Sequence, residues 1–228
     1  MAVKQVEVAG IGMVNIYKRR DARSIKISLT RGHEVRVTIP YWLPYRAGIE
    51  YARSKTDWIK RNSQPISELK DDMQIGKSHR LHFVPDDSLA SKVTPTEIVV
   101  KYNAVQSILV ESVQAKARQA CLRALKAEAE VLLPQRLNQL AKKHGFDYGS
   151  VRIKNLRSRW GSCSHQKDIS LSLFLMQLPW PLIDYVLLHE LTHTKHLDHS
   201  QSFWQELESC LPASRQLRKH LKQYQPTI

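Results

Sequence analysis

The first hundred residues alternate apolar and polar positions in the way that is typical of half-buried β-strands. The segments 24–30 (SIKISLT) and 34–39 (EVRVTI) both alternate in this way. Arg31-Gly32-His33 between them predicts a tight hairpin turn. The polar segment 86–95 (DDSLASKVTP) is predicted to be a loop. Further short strands are predicted at 81–84 and 97–101.

Helical patterns follow in two regions. Apolar residues recur at helical spacing within residues 44–62, and Pro44 at the start of this segment favours the first turn of a helix. Residues 112–144 are rich in alanine, leucine and long charged side chains, which are good helix formers. Gly145 is predicted to end this helix, and Pro134 predicts a kink or a break within it.

The last third of the chain combines strands with helices. Two strands are predicted at 151–156 and 168–175, and residues 157–167 (RSRWGSCSHQK) connect them as a hairpin. Three helices should follow, starting near residues 181, 201 and 214. No internal repeat is visible. These elements predict an α+β protein with a β-rich N-terminal part and a helix-rich C-terminal part that carries a small antiparallel sheet.

The length and composition fit this organisation. A chain of 228 residues is long enough for two modest domains, which we place at 1–110 and 111–228. No apolar run approaches the roughly 20 residues that a membrane helix needs, and the N-terminus lacks the pattern of a signal peptide. The three cysteines form no CxxC pair and are typical of reduced thiols. We therefore expect a cytoplasmic protein with no membrane partner.

The net charge of the chain is +14, from 35 basic and 21 acidic residues. There are 18 basic and 11 acidic residues up to Val110, and 17 and 10 after it, so the excess is not collected in a tail. A basic protein attracts polyanions regardless of their sequence. Nucleic acid is therefore one candidate partner, although a basic protein without any polyanionic partner has the same composition.

One motif stands out chemically, His189-Glu190-Leu191-Thr192-His193. Histidines four residues apart lie on the same face of a helix, about 6 Å apart, and can converge on one tetrahedral Zn²⁺. Glu190 follows the first histidine and can take a proton from metal-bound water without being a ligand. Residues 184–188 are almost wholly apolar, which predicts a buried helix where unpaired imidazoles would be costly. The pattern predicts a hydrolytic zinc site.

A catalytic zinc usually has three protein ligands and keeps the fourth position for water. On a continued helix, His196 would lie about 10 Å along the axis from His189, too far to share the ion. His199 follows a point where the helix can end and the chain can turn back, so it is the preferred third ligand. A carboxylate of the next helix, Glu206 or Glu208, is the alternative.

Several strings of the C-terminal half are distinctive in their order and spacing. They are RSRWGSCS (157–164), IDYV (183–186), HELTH (189–193) and HS (199–200), with FW (203–204) close behind. In these strings the chain resembles the YgjP-like family of predicted metal-dependent hydrolases, which are zincin-type proteins similar in their C-terminal core to the SprT-like and WLM proteases. The order and spacing agree from about residue 154 to 212, and more loosely from 17 to 62.

The resemblance implies a zincin-like C-terminal core with one zinc ion. Glu190 is then the catalytic acid/base, and the ion is held by His189, His193 and His199. The family usually has asparagine at the positions of Ser172 and Asp198 in this chain. Neither position is a ligand, but both bear on the substrate groove or on the surroundings of the ligands.

The surroundings of the predicted site suggest where a substrate binds. The strand around 169–173 is expected to form the edge beside the active-site helix, where zincins receive an extended peptide by strand addition. Ser172 on this strand is a candidate substrate contact. Arg157 and Arg159 are candidates for binding an anionic group or stabilising an oxyanion. The two arginines have an equally plausible structural role, which is to pair with carboxylates and hold the turn.

The leading hypothesis is therefore a zinc-dependent hydrolase, specifically a metallopeptidase that acts on peptides or proteins. A metal-dependent nucleotide phosphohydrolase is the alternative, since the basic charge suits triphosphates. The chain, however, has no glycine-rich phosphate loop and no carboxylate cluster for Mg²⁺. A third hypothesis is a nucleic-acid-associated module with structural zinc, although structural sites usually have four ligands and are rich in cysteine.

Overall fold

The computed structural model describes residues 3–29, 35–62 and 68–228. The chain divides into two compact units, Met1–Ser67 and Glu68–Ile228. The protein contains both helices and several small sheets, so the predicted α+β class is confirmed. No helix in the described ranges has the length and apolar character needed to cross a membrane.

The first unit contains one sheet and two helices. Its elements are β1 (Val3–Val8), β2 (Gly12–Arg19), β3 (Lys26–Leu29), β4 (Val35–Pro40), α1 (Tyr45–Ser54) and α2 (Thr56–Asn62). The strand order is β1-β2-β4-β3, with β2 and β4 parallel and the other pairs antiparallel. The antiparallel pairing of β3 with β4 agrees with the predicted hairpin, whose turn at 31–33 lies outside the described residues. The helix predicted at 44–62 is divided into α1 and α2 at Lys55.

One face of this sheet forms the core of the first unit. Alternation along β2 and β4 places Ile16, Val37 and Ile39 on this face, where all three are fully buried. Ala52 of α1 is buried in the same cluster. The core therefore lies between α1 and one face of the sheet.

The second unit carries the remaining elements. They are β5 (Met73–Ile75), β6 (His79–Pro85), β7 (Ala90–Val93), β8 (Glu97–Tyr102), α3 (Glu111–His144), β9 (Val151–Lys154), β10 (Gly161–Cys163), β11 (Ile169–Ser172), α4 (Trp180–Thr192), α5 (Gln201–Cys210) and α6 (Ser214–Leu221), with a short 3₁₀-helix at Leu173–Gln177. The segment 86–95, predicted to be a loop, contains β7. This short strand is stabilised by pairing with β8, a tertiary interaction that its polar sequence does not indicate.

The sheet of β5–β8 belongs with the helix α3 that follows it. Leu81 and Ile98 of the sheet lie in the same buried cluster as Val113 and Ala117 of α3. The division of the chain consequently falls after Ser67 and not at the predicted boundary after residue 110. The reason is that one side of this small sheet is buried by α3, which the change of composition near residue 110 does not reveal.

The two four-stranded sheets share one topology. The strand order β5-β6-β8-β7 repeats the order β1-β2-β4-β3, and in both sheets the two central strands are parallel and the outer pairs antiparallel. No repeat is visible in the sequence. The similarity therefore lies in the path of the backbone.

The long helix α3 runs from Glu111 to His144 and ends before Gly145, as predicted. Of the kink or break predicted at Pro134, the structure excludes the break, because the helix continues through this residue. Proline removes one backbone hydrogen bond from a helix. Leu133 and Leu137 on either side are fully buried, and this packing holds both halves of the helix together.

The third sheet has the order β10-β11-β9 and borders α4. The predicted antiparallel pairing of the two flanking strands is wrong, because β9 and β11 are parallel. The connection between them contains β10, which folds back onto β11 in antiparallel fashion. The central strand is therefore β11, and among the described residues the edge beside α4 belongs to β10 and not to the strand at 169–173.

Candidate metal centre

The helix α4 positions the first two histidines of the HExxH motif. Its apolar residues, among them Leu187 and Leu191, are buried in the core of the second unit. Because the helix is fixed on several sides, its last turn presents His189 to one side of the fold with little freedom. His193 is the first residue beyond the helix.

The third histidine comes from the chain between α4 and α5. His199 lies two residues before α5, so the helix ends and the chain turns back as the sequence predicts. One ring nitrogen from each of His189, His193 and His199 lies within 4.8 Å of the other two. Two ligands of a tetrahedral zinc ion at about 2.0–2.1 Å are separated by roughly 3.3 Å. The three imidazoles are thus close enough together for a single ion to bind all of them.

The orientations of the rings also fit a cation. The Nε2 atoms of His189 and His199 are 3.1 Å apart, a separation at which two lone pairs need a proton or a cation between them. The Nδ1 atom of His193 is 2.9 Å from the backbone oxygen of His196. The Nε2 atom of the same ring is then the one that can act as a metal ligand. Nδ1 of His189 is buried without a hydrogen-bond partner among the described residues. The donor set of three imidazoles suits zinc.

The other ligand candidates are engaged elsewhere. Glu206 forms an ion pair with Lys195 at 2.7 Å, and Glu208 forms one with Arg215 at 2.5 Å. Among the described residues, neither carboxylate belongs to the group of possible metal ligands. Asp198 accepts a hydrogen bond from the backbone N–H of Ser200 at 3.2 Å. The geometry therefore favours His199 over the glutamates.

Two aromatic residues complete the centre. The ring of Phe203 is fully buried and lies 4.9, 4.6 and 4.8 Å from the rings of His189, His193 and His199. Trp204 donates from Nε1 to the backbone oxygen of His199 at 3.1 Å. Sequence reasoning missed both roles, although the FW string after the last histidine was a signal.

Burial favours the neutral form of His189 and His193, which is the form that binds a metal. Burial lowers the pKa of His189 to about 3, and the neighbouring histidines add to this shift. Burial also lowers the pKa of His193. Neutral imidazoles can offer lone pairs at physiological pH without first losing a proton.

Glu190 lies on the same turn of α4 and is 5% exposed. Burial raises the pKa of its carboxyl to about 8, and the positive charge of Arg159 opposes this shift. The carboxylate lies directly against β10. A Cβ atom at Gly161 would be 2.6 Å from Oε1 of Glu190, so this position accepts only glycine without displacing the carboxylate. The glycine of the RWGSC string thereby leaves room for Glu190, a role that the sequence did not reveal.

The three candidate substrate contacts have different surroundings. Arg157 and Arg159 are exposed, and within the described part of the chain neither forms an ion pair with a carboxylate. Arg157 lies over the ring of Phe174 at 5.9 Å. Ser172 is fully buried, and its hydroxyl donates to the backbone oxygen of Leu156 at 2.8 Å. The prediction of Ser172 as a substrate contact is therefore corrected, since its hydroxyl holds the turn beneath the surface.

Cys163 is not arranged as a nucleophile. Burial raises the pKa of its thiol to about 11, and the charges of Glu190 and Asp168 contribute to the shift. A thiol with this pKa stays protonated at neutral pH, whereas a nucleophilic cysteine needs the thiolate form. Cys163 is therefore not a candidate nucleophile, and the candidate hydrolytic groups remain the histidines and Glu190.

Comparison with known proteins agrees with these observations. A family model described as "YgjP-like, metallopeptidase domain" matches residues 23–224, which is most of the chain. No curated protein matches the chain.

Two solved structures are similar to part of the chain. One is the metallopeptidase zymogen of Pyrococcus abyssi abylysin, with 25% identity over 40% of this chain and 94% of that chain, at a TM-score of 0.37. The other is the metallopeptidase zymogen of Methanocaldococcus jannaschii jannalysin, with 20% identity over 40% and 94%, at a TM-score of 0.36. TM-scores this low carry no argument about the fold.

Proposed function

This chain belongs to the YgjP-like family and carries its metallopeptidase domain, and on that premise we propose that it is a zinc-dependent peptidase with an HExxH-x5-H site. The ligands are His189, His193 and His199. Glu190 is the catalytic acid/base. The observation that supports this proposal most directly is the convergence of the three ring nitrogens within 4.8 Å beside a buried glutamate.

The proposed chemistry divides between the ion and the protein. A bound zinc ion supplies a Lewis acid that polarises a carbonyl and lowers the pKa of water. The Glu190 carboxylate accepts a proton from the attacking water and returns it to the leaving nitrogen. Burial, which raises the pKa of this carboxyl, disfavours its charged form and so strengthens the tendency of the carboxylate to take up a proton. Arg159, whose charge acts on Glu190, is the group that we propose to stabilise the developing oxyanion.

We propose that the peptide substrate aligns along β10. The backbone oxygen of Trp160 accepts from the N–H of Ser172 in β11, and the N–H of Ser164 donates to the oxygen of Asp168 just before β11, at 2.9 Å in each case. Alternation in an antiparallel ladder then directs the N–H and C=O groups of Gly161 and Cys163 to the free edge. A peptide that adds a strand there lies next to Glu190, because Gly161 contacts that carboxylate.

The metal assignment is tested by elemental analysis of protein purified and dialysed in the presence of zinc. We expect about one zinc ion per chain in the wild type and the loss of most of it in His199→Ala, because the site loses one of three ligands. His196→Ala is the matched control, since only the backbone oxygen of that residue supports the site. Full zinc content in His199→Ala would exclude this residue as a ligand.

The reaction is tested on the same zinc-loaded protein. Casein and mixed peptides should be hydrolysed, the activity should disappear with a chelator, and zinc should restore it. Nucleoside triphosphates should remain intact. Hydrolysis of triphosphates without cleavage of any peptide would instead establish the phosphohydrolase alternative.

A second proposed role, association with nucleic acid, is supported by the distribution of charge. Residues 1–67 contain 13 basic and 5 acidic residues, a net charge of +8, and residues 68–228 contain 22 and 16, a net charge of +6. The first unit thus carries more than half of the excess charge in less than a third of the chain. When the chain is divided at residue 110 instead, both parts have a net charge of +7, and the concentration of positive charge in the first unit is not apparent.

Aromatic side chains accompany these charges. Tyr41 and Trp42, between β4 and α1, are 54% and 66% exposed. Lys18 and Arg20 lie over the ring of Tyr41 at 5.7 and 5.5 Å. Exposed aromatic rings beside cations are the features on which single-stranded nucleic acids stack their bases and neutralise their phosphates. We therefore propose single-stranded nucleic acid as the polyanion.

Binding of a labelled single-stranded oligonucleotide to the full chain, measured at several salt concentrations, tests this role. We expect Trp42→Ala to weaken binding about tenfold, since stacking on one aromatic ring contributes about 1–3 kcal/mol. Trp180→Ala, in the second unit and 40% exposed, is the control and should have no effect. No binding at low salt, or equal loss in both variants, would exclude the proposed surface.

A further inference from the structure

A groove of about 600 Å³ lies between α5 and α6, next to the metal centre. Trp204 of α5 forms part of its wall, and the α6 side contributes Arg215, Arg218 and Lys219, with Lys222 just beyond the helix. None of these basic residues has a role in the chemistry proposed above. The groove is therefore distinct from the proposed metal site and lies beside it.

The charge of this groove is strongly positive. Arg215 is neutralised by Glu208, the acidic residue that also lines the groove. Arg218, Lys219 and Lys222 are exposed, and within the described part of the chain none of them forms an ion pair. Three uncompensated cations on one concave wall favour an anionic ligand.

The groove lies within reach of a substrate bound at the histidines. The ring of Trp204 is 5.7 Å from that of His199, and the guanidinium of Arg218 is 4.6 Å from the Trp204 ring. The guanidinium is thus at most about 10 Å from the His199 ring, a length that an extended peptide covers in two to three residues. The positive charge of Arg218 also contributes to lowering the pKa of His189, which agrees with this proximity.

We propose that this groove binds an acidic side chain of the peptide substrate, two or three residues from the bond that is cleaved. This inference rests on the proposed peptidase function and names the substrate class of that site. The carboxylate of an aspartate or glutamate is paired by Arg218 and by the lysines 219 and 222. The indole of Trp204 packs against the aliphatic part of the acidic side chain.

The preference is tested with quenched fluorescent peptides that differ at one position, which carries aspartate, alanine or lysine. The position is moved from one to four residues away on either side of the scissile bond. The wild type should cleave the aspartate peptide about tenfold better than the lysine peptide at the best position, mainly through KM. The difference should shrink at high salt, because exposed charges are screened.

The double variant Lys219→Glu/Lys222→Glu makes the test decisive. It should reverse the preference to the lysine peptide and leave cleavage of the alanine peptide unchanged, which a merely structural role of these lysines would not produce. Lys70→Glu/Lys92→Glu, exposed and outside the groove, is the charge-matched control and should keep the wild-type preference. Circular dichroism verifies the fold of each variant.

The outcomes separate this inference from the function on which it rests. Cleavage of all peptides at equal rates, or a preference that the double variant retains, would overturn the groove assignment while the peptidase function stands. Cleavage of no peptide by wild-type protein of verified zinc content would overturn both.

Discussion

Replacement of Glu190 by glutamine is expected to lower kcat for peptide cleavage by about 10²–10⁴-fold, the usual contribution of a general acid/base. Glutamine has the same shape and fits against Gly161, but it cannot accept a proton. Glu190 is not among the proposed ligands, so the zinc content of Glu190→Gln should equal that of the wild type. Steady-state kinetics together with elemental analysis measure both properties on one preparation.

A second variant tests the placement of this carboxylate. Gly161→Ala introduces a Cβ atom at 2.6 Å from Oε1 of Glu190, so the carboxylate or the strand must move. A displacement of about 1 Å can cost about 10²-fold in rate, and we expect Gly161→Ala to lie between the wild type and Glu190→Gln. Ser162→Ala is its control, because neighbouring side chains of a strand point to opposite faces.

These two variants distinguish catalysis from metal binding. Loss of zinc in Glu190→Gln would mean that the carboxylate supports the ion directly. Retention of full kcat in this variant would remove Glu190 from the proposed mechanism. A Gly161→Ala variant with wild-type activity would show that the close contact with β10 does not position the carboxylate.

The largest effect on stability is expected from Glu128→Ala, at about 3–5 kcal/mol in the free energy of unfolding. Glu128 lies on α3 and is 7% exposed. Its carboxylate accepts hydrogen bonds from the backbone N–H groups of Lys77 and Ser78 at 2.7 and 2.8 Å, and pairs with Nδ1 of His79 at 2.6 Å. Alanine would leave all three groups without this acceptor, and one of them, the ring of His79, is buried.

The turn between β5 and β6 is shaped around this carboxylate. Gly76 has a φ of +66°, and a Cβ atom there would lie 2.3 Å from Oε2 of Glu128. Glu128 therefore links the turn between β5 and β6 to the helix α3. The loss of this attachment should reduce the cooperativity of unfolding as well as its free energy.

Urea denaturation followed by circular dichroism measures this effect. Glu130→Ala is the matched control, because this exposed glutamate of the same helix forms only an i,i+4 pair with Lys126 at 3.5 Å. Its removal should change the free energy by less than about 0.5 kcal/mol. Equal stability of the two variants would contradict the attachment that we infer for Glu128.

The strongest sequence signals were local ones. The HExxH spacing predicted two convergent imidazoles, and the structure brings His199 to them as the third. The helix α3 was predictable because its residues are good helix formers over many turns, and Gly145 ends it as expected. In each of these cases, residues close together in the chain determine the feature.

The sheet edges were not predictable, because strand pairing depends on residues far apart in the chain. The polar segment that contains β7 becomes a strand only by pairing with β8. The insertion of β10 moves β11 from the predicted edge to the centre of its sheet. Ser172 is buried as a consequence and holds a turn, although the sequence suggested a substrate contact.

The sequence by itself predicted the candidate chemistry of this protein, since helical periodicity places His189 and His193 on the same side of one helix. Only the tertiary structure decided what surrounds that chemistry: the glycine that leaves room for Glu190, the aromatic rings of Phe203 and Trp204, and the basic groove behind them. Some of these features join residues far apart in the chain, such as Gly161 and Glu190. Their contacts arise from the packing of helices and strands, which no local spacing specifies.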